Sequence, residues 1–424
     1  MFVSQRLEVP ADAFVVARAL AARDALALVR ANQGRTTYVA CDPSESAVTL
    51  DPELALERHP QEFGEIPRWI GLLPYEARRT LERSPANDVR AAPELVAPLW
   101  RRYRAVVKIT KQIEVIGENS KVTAELVEKV LRGLRNVDPS PRPPRVSLRV
   151  PPEAGAAHAA RIRRALEFVR AGEIYQVNLA RRFELSVTGS ALELLAALGS
   201  RGLPPHALAL DWPELGVAMA SPELFLRLEC DGRVATRPIK GTRPRSADPA
   251  LDRELARALE LDPKERAELA MIIDVERNDL GRLALPGSVR LAEPPSVETH
   301  AEVHHRAATV SAELRPGVSR EELLLATLPS GSVTGAPKIR AMELIAELEP
   351  ARRGLYTGAA GFVRQDGGVE LGMAIRTVTL RDGRGAYYAG GGIVADSDPE
   401  REVTETLWKA RRLIELTGGD PRWS

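Results

Sequence analysis

Hairpin signals are interspersed with helix patterns in this chain, with no repeating strand–helix beat, and that order constrains the fold most. Asp231-Gly232 is a two-residue turn signal between the strand-like runs Phe225–Cys230 and Arg233–Ile239. Tyr175-Gln-Val-Asn-Leu179 alternates, which puts Gln176 and Asn178 on the face opposite Tyr175, Val177 and Leu179. Ala386–Ala389 reads as a strand followed by Gly390, Gly391 and Gly392, and Ile109–Ile116 reads as another. Helices are expected from about His158 to Val169, stopped at Gly172, and from Glu265 to Gly281. Two more are expected, Lys338 to Glu347 opened by Pro337, and Glu400 to Leu416 stopped by Gly418-Gly419. This mixture favours an α+β fold over a doubly wound parallel sheet. Pro139, Pro141, Pro143, Pro144, Pro151 and Pro152 mark an extended connection over 138–157. It separates an N-terminal region, 1–137, from a C-terminal region, 158–418, with both expected to share one fold.

Charge then excludes whole classes of function. Across 424 residues, 59 Lys+Arg against 58 Asp+Glu leave a net charge of +1, without the basic footprint of a nucleic-acid or anionic-membrane binder. The two cysteines, Cys41 and Cys230, are too few for a disulfide framework or a thiolate zinc site. No apolar run approaches the roughly 20 residues of a membrane span, and Met1 is not followed by a signal-peptide pattern. A soluble cytoplasmic enzyme is expected.

Several constellations have chemical potential. A two-residue turn at Asp231-Gly232 sets Glu223 opposite Lys240, their Cβ atoms about 5 Å apart. A carboxyl beside an amine serves as proton donor and nucleophile, although an ordinary cross-strand salt pair fits the spacing too. Glu265 and Glu268, and again Glu402 and Glu405, are three apart and share a helix face. A cation between two such helices would relieve their repulsion, and oxygen-only donors select Mg²⁺ over zinc. Either pair alone also reads as a solvated face. His300, His304 and His305 lie close in sequence without establishing zinc geometry. The stretch from Pro329 to Lys338 fails the phosphate-loop pattern, because Pro337 occupies the place before Lys338. Gly390–Gly392 offers backbone N–H groups to a carboxylate, or makes a tight turn.

Together these segments resemble the chorismate-utilising enzymes, a family that includes component I of anthranilate and aminodeoxychorismate synthases, isochorismate synthases and salicylate synthases. The resemblance is dense from about Arg161 to Leu416. It shows in Ile174-Tyr-Gln-Val-Asn-Leu-Ala-Arg-Arg-Phe183, Ser221-Pro-Glu-Leu-Phe225, Asp262-Pro-Lys-Glu-Arg-Ala-Glu268, Arg277-Asn-Asp-Leu-Gly-Arg282 and Glu402-Val-Thr-Glu-Thr406. It implies a large sandwich of two antiparallel sheets flanked by helices, with the site in a cleft between the sheets. It also implies Mg²⁺ on Glu268 and Glu405, supported by Glu265 and Glu402, with the ring carboxylate of chorismate on the metal. Tyr356, Arg376, Lys409 and the backbone of Gly390, Gly391 and Gly392 would hold the other carboxylate. Thr242 and Ser332 would be further contacts, Glu223 the acid for the departing 4-hydroxyl, and His305 the family's site histidine.

Two positions choose a branch within that resemblance. Gln176 occupies the place where water-adding members carry a lysine, which points to ammonia as nucleophile. Pro238-Ile-Lys240-Gly-Thr242 is similar to aminodeoxychorismate synthases, whereas anthranilate synthases read Pro-Ile-Ala-Gly-Thr. This implies amination of chorismate to 4-amino-4-deoxychorismate, for para-aminobenzoate and folate, through attack of Lys240 at C2. Anthranilate synthase component I is the alternative within the family. A non-catalytic binding or regulatory protein is the alternative of another class, although such a protein would be expected to lose the acid or the carboxylates. Neither cysteine sits in a Gly-rich nucleophile turn, so a separate glutamine amidotransferase (glutaminase) subunit is the expected ammonia source. There are departures: Val303-His-His-Arg-Ala-Ala308 replaces the usual Val-Met-His-Leu-Val-Ser, and the tryptophan-inhibition motif Leu-Leu-Glu-Ser is missing from Arg35–Asp42.

Overall fold

A computed structural model of the chain describes all residues except 1, 11, 53–62, 79–89, 91–92, 139, 141, 150–154 and 420–424. Its strands bury two apolar faces at once. In Leu26–Ala31, Leu26 and Leu28 pack with Val16 and Leu126 of two helices, while Ala27 and Val29 pack with Ile70, Leu72 and Phe362 of a second sheet. The neighbouring strand His206–Asp211 divides likewise, Ala207 and Ala209 toward the helices, Leu208 and Leu210 toward the other sheet. A strand held between two layers requires this pattern. The described residues therefore form helices, sheet, sheet and helices in four layers.

Among the described residues the sheets have twelve and ten strands, and every strand pairing is antiparallel. The α+β expectation and the two-sheet sandwich are both met. Strands from before and after 138–157 share both sheets: Leu26–Ala31 pairs with His206–Asp211, and Pro67–Leu73 with Ala359–Arg364. Within the expected connection, Arg145–Leu148 is a strand paired with Leu185–Thr188. Pro139, Pro141, Pro151 and Pro152 lie outside the described residues.

Three local expectations need correction. Ile109–Ile116 is not one strand but a turn, because polar Lys111-Gln112 separates the strands Ala105–Ile109 and Ile113–Gly117. Gly390–Gly392 is neither a turn nor a loop; it lies inside the strand Arg384–Ile393, paired with Gln176–Thr188. At Asp231-Gly232 the loop has three residues, because Gly232 N–H closes a turn on Glu229 O at 3.0 Å and Gly232 itself takes φ +88°. Leu228 therefore pairs with Val234, and a bulge shifts the register again before Leu224 meets Arg237. Glu223 and Lys240 are not cross-strand partners; Lys240 pairs with Arg306.

Two helices begin by one device. Asp262 caps Pro263–Gly281, accepting from the N–H groups of Lys264 and Glu265, and Asp398 caps Pro399–Leu416, accepting from Arg401 N–H. In both, the carboxylate pair follows within the first two turns, where the helix dipole favours negative charge.

Candidate active site

A cavity of about 830 Å³ gathers fourteen of the sixteen expected site residues: Glu223, Lys240, Thr242, Glu265, Glu268, His305, Ser332, Tyr356, Arg376, Gly390, Gly392, Glu402, Glu405 and Lys409. The other two lie directly behind its wall. Gln176 is fully buried against Gly392, where an added Cβ would come within 2.9 Å of its Nε2. Gly391 backs onto the carboxylates, and a Cβ there would stand 2.9 Å from Glu402 Oε2, so a larger residue would push the acidic helix away.

Although Glu223 and Lys240 are not in register, Ser332 brings them together. Its hydroxyl donates to Glu223 Oε1 at 2.7 Å, and its carbonyl accepts from Lys240 Nζ at 3.1 Å. Ser332 lies in the one-turn helix Gly331–Thr334. Burial pushes the Glu223 carboxyl up to about 7, and Glu276 adds to the rise; the Ser332 hydrogen bond and the Lys240 charge oppose it. A carboxyl so placed retains a proton near neutral pH.

Opposite lie the four glutamates, facing three lysines. Burial and mutual repulsion raise Glu265, Glu268 and Glu402, against the opposing charges of Arg243, Lys240 and Lys264. Glu405 is held below its ordinary value by Lys409, 2.6 Å away. Lys409 Nζ also donates to Gly390 O at 2.7 Å, which ties this helix to the strand. Lys264 reaches from the first acidic helix toward the second. As placed, no three His, Cys, Asp or Glu side chains among the described residues form a ready metal cage.

The remaining wall is polar and short of partners. Among the described residues both amide atoms of Gln176, Asn178 Oδ1 and His305 Nε2 are buried without a hydrogen bond, and burial lowers the Arg376 pKa against the opposing pull of Tyr387 and Glu302. Buried polar groups are normally satisfied, so such a set suits a polar ligand. Burial drops His305 to about 3, with Arg376 and His300 adding to the fall, so it is neutral, and its Nδ1 meets Thr242 Oγ1 at 3.0 Å. Adjacent residues of a strand face opposite ways, and His304 turns instead to Thr299 and Asp252. Tyr356 stacks on Tyr388 with ring centroids 5.0 Å apart. Thr357 and Arg376 take φ of +60° and +50°, uncommon backbone for non-glycine residues and clustered at this wall.

Sequence reasoning missed Lys264, Glu276 and Ser330. Lys264 had a signal, since it precedes Glu268 by four residues on one helix face. Ser330 and Glu276 had none, because they meet only through tertiary packing.

The profile described as chorismate binding enzyme matches residues 11–415. The chain belongs to the chorismate-binding enzyme family. A Salmonella typhimurium relative named aminodeoxychorismate synthase component 1 is 36% identical over 392 residues, which is 88% of this chain and 84% of that protein. A Thermus thermophilus relative named anthranilate synthase component 1 is 46% identical over 259 residues, 61% of this chain and 56% of that protein. Among solved structures, anthranilate synthase component I from Streptococcus pneumoniae superposes with a TM-score of 0.77 at 27% identity, covering 90% of this chain and 92% of that one. The menaquinone-specific isochorismate synthase of Escherichia coli shares the fold, with a TM-score of 0.76 at 20% identity over 98% of this chain and 94% of that one.

In this family member the acidic residues fit a hard divalent cation by donor chemistry: four carboxylates from two helix N-termini, all lining one cavity, with Lys264 already supplying positive charge between them. Among the described residues no helix is long and apolar enough to cross a membrane.

Proposed function

We propose that the chain aminates chorismate to 4-amino-4-deoxychorismate, with ammonia supplied by a glutaminase partner, for cytoplasmic para-aminobenzoate and folate synthesis. The observation that carries this reading is Lys240 and Glu223 held on opposite sides of Ser332 in one cavity. A buried, protonated Glu223 donates to the departing 4-hydroxyl, which leaves as water. The Lys240 nitrogen attacks C2 through its lone pair as both ring double bonds shift toward C4, giving a covalent intermediate. Ammonia then enters at C4 and expels Lys240. Arg376 and Tyr356 hold one carboxylate, while Glu268 and Glu405, backed by Glu265 and Glu402, would hold Mg²⁺ for the other. Bound there, the ion would neutralise the ring carboxylate and fix its position. Gln176 is a neutral amide and cannot act as a base for water, which supports amination over hydration.

A second reading, anthranilate synthase component I, is favoured by the 46% identity to the Thermus thermophilus relative. Product analysis decides between them. The purified chain with chorismate, Mg²⁺ and ammonium salt should yield 4-amino-4-deoxychorismate by chromatography and mass, and glutamine should not replace the ammonium salt. Anthranilate and pyruvate would establish the second reading, and no product at all would leave a non-catalytic binding protein.

A further inference from the structure

A line of four buried side chains runs from the cavity into the protein interior. Ser332 Oγ lies 2.7 Å from Glu223 Oε1, 3.0 Å separates it from Ser330 Oγ, and Ser330 Oγ lies 2.5 Å from Glu276 Oε1. None of the four is more than 4% exposed. Glu223 and Ser332 line the cavity, whereas Ser330 and Glu276 do not. Glu276 lies on the Pro263–Gly281 helix, two turns beyond the acidic pair.

The hydrogens available along this line favour one filling, and Ser330 Oγ also accepts from Ser332 N–H at 3.1 Å. Three oxygen–oxygen contacts need three hydrogens, and two serine hydroxyls supply two. With both carboxyls ionised, the hydroxyls would point outward to Glu223 and Glu276. Ser330 and Ser332 would then meet lone pair to lone pair between two buried anions, Glu223 near Lys240 and Glu276 near Lys338. With both carboxyls protonated, one hydrogen would be left over. One carboxyl proton closes the line.

We propose that Glu223 and Glu276 share a single proton through Ser332 and Ser330, and that Glu276 is a positioning residue that sets the charge of the cavity acid. In one arrangement Glu223 O–H donates to Ser332, Ser332 to Ser330, and Ser330 to ionised Glu276. In the other, Glu276 carries the proton and all three links reverse. Passing between them breaks one O–H bond at each donor and forms one at each acceptor, so no atom is gained or lost. Lys240 faces Glu223 from the strand Ile239–Pro244. Glu276 is faced by Asp279 on its own helix and by Lys338 at the start of the next, and these two neutralise each other at 2.5 Å. With the proton on Glu276, Glu223 is the anion beside Lys240; with the proton on Glu223, the cavity holds an acid and Lys240 keeps Glu268 and Glu405 as its nearby carboxylates. Burial raises both carboxyls to about 7, which agrees with a proton poised between them.

The inference rests on the reading of Glu223 as the acid, and its test separates the two. Infrared titration of the full chain reads protonated carboxyls without turnover. Glu276→Gln should lower the midpoint at which the Glu223 carbonyl band disappears by about one pH unit. Ser330→Ala, which keeps both carboxyls but cuts the line, should shift it in the same direction and keeps the test alive if Glu276→Gln does not fold. With ammonium salt and chorismate, the alkaline limb of kcat should move down by the same amount in both variants, with KM for chorismate within about twofold. A wild-type band midpoint in both variants overturns the shared proton. Absence of amination with the band shifts intact removes the role of Glu223 as acid but not the shared proton.

Discussion

Lys264 Nζ stands 3.6 Å from Glu402 Oε1, so an ammonium from one acidic helix reaches a carboxylate of the other. Burial works to lower the Lys264 pKa, yet Glu402, Glu268, Glu405 and Glu265 together raise it. The side chain is 43% exposed, so the pair alone contributes little to stability. Its larger effect is on the acidic cluster, which it partly neutralises. Lys264→Met should lower Tm without Mg²⁺ by about 2 °C and enlarge the rise in Tm on adding Mg²⁺. Thermal scans with and without the ion check this, and an unchanged Mg²⁺ increment would count against a shared site.

Removing a carboxylate should act in the opposite sense. Glu268→Gln or Glu405→Gln keeps the shape but loses a hard oxygen ligand and charge, so turnover should fall by about 100-fold or more. The circular dichroism spectrum should not change. EDTA should abolish wild-type activity and added Mg²⁺ restore it; full turnover of both variants in EDTA would sink the metal assignment.

The cavity acid also makes stability depend on pH. Glu223 is raised in the fold from 4.5 to about 7, so the folded state binds more protons than the unfolded one between those values. The stabilisation is complete below about pH 4.5 and is lost as pH rises through about 7. Glu223→Gln, neutral at every pH, should therefore raise Tm relative to wild type at pH 9 and gain much less at pH 5. Equal shifts at the two pH values would contradict a raised carboxyl.

Behind the cavity, Arg353 is buried with Glu349, 2.6 Å away, and donates also to the carbonyls of Asn178 and Val333. Glu349 in turn accepts from Ala180 N–H. This pair ties the end of the Lys338–Leu348 helix to the strand that carries Gln176. Arg353→Met would leave Glu349 buried without its cation, and the expected cost is about 3–5 kcal/mol, measured by denaturant unfolding.

What the sequence disclosed and what it withheld follow from the range of each interaction. The helices stopped at Gly281 and before Gly418-Gly419, the alternation around Gln176 and the spacing of Glu265, Glu268, Glu402 and Glu405 are local patterns, and each of these elements is found where the pattern puts it. Register is less local. Gly232 turned an expected two-residue turn into a three-residue loop, and one residue of slip was enough to separate Glu223 from Lys240 across the hairpin. Their meeting through Ser332, over 100 residues downstream of Glu223, depends on packing that no spacing rule reaches. Glu276 was hidden for the same reason, since a charged residue on a helix is ordinarily a solvated one, whereas Lys264 showed only its four-residue spacing from Glu268.

Lys240 carries the choice of product. Lys240→Ala removes the amine but leaves Glu223, Ser332 and the four carboxylates, so the acid and the charge that holds the substrate remain. If Lys240 attacks C2, the variant should lose 4-amino-4-deoxychorismate formation by about 100-fold or more, because the covalent route is closed. Any residual amination should then come from direct attack of ammonia at C2. Intact-protein mass spectrometry on the wild type, with chorismate and no ammonia, should show an adduct of chorismate less water. The alanine variant should show none, and ammonium added afterwards should discharge the wild-type adduct. A variant that forms the 4-amino product at the wild-type rate would make Lys240 only a partner for the carboxylates of Glu223 and Glu268. The amine on the Ser332 carbonyl would then have no part in the choice between C2 and C4.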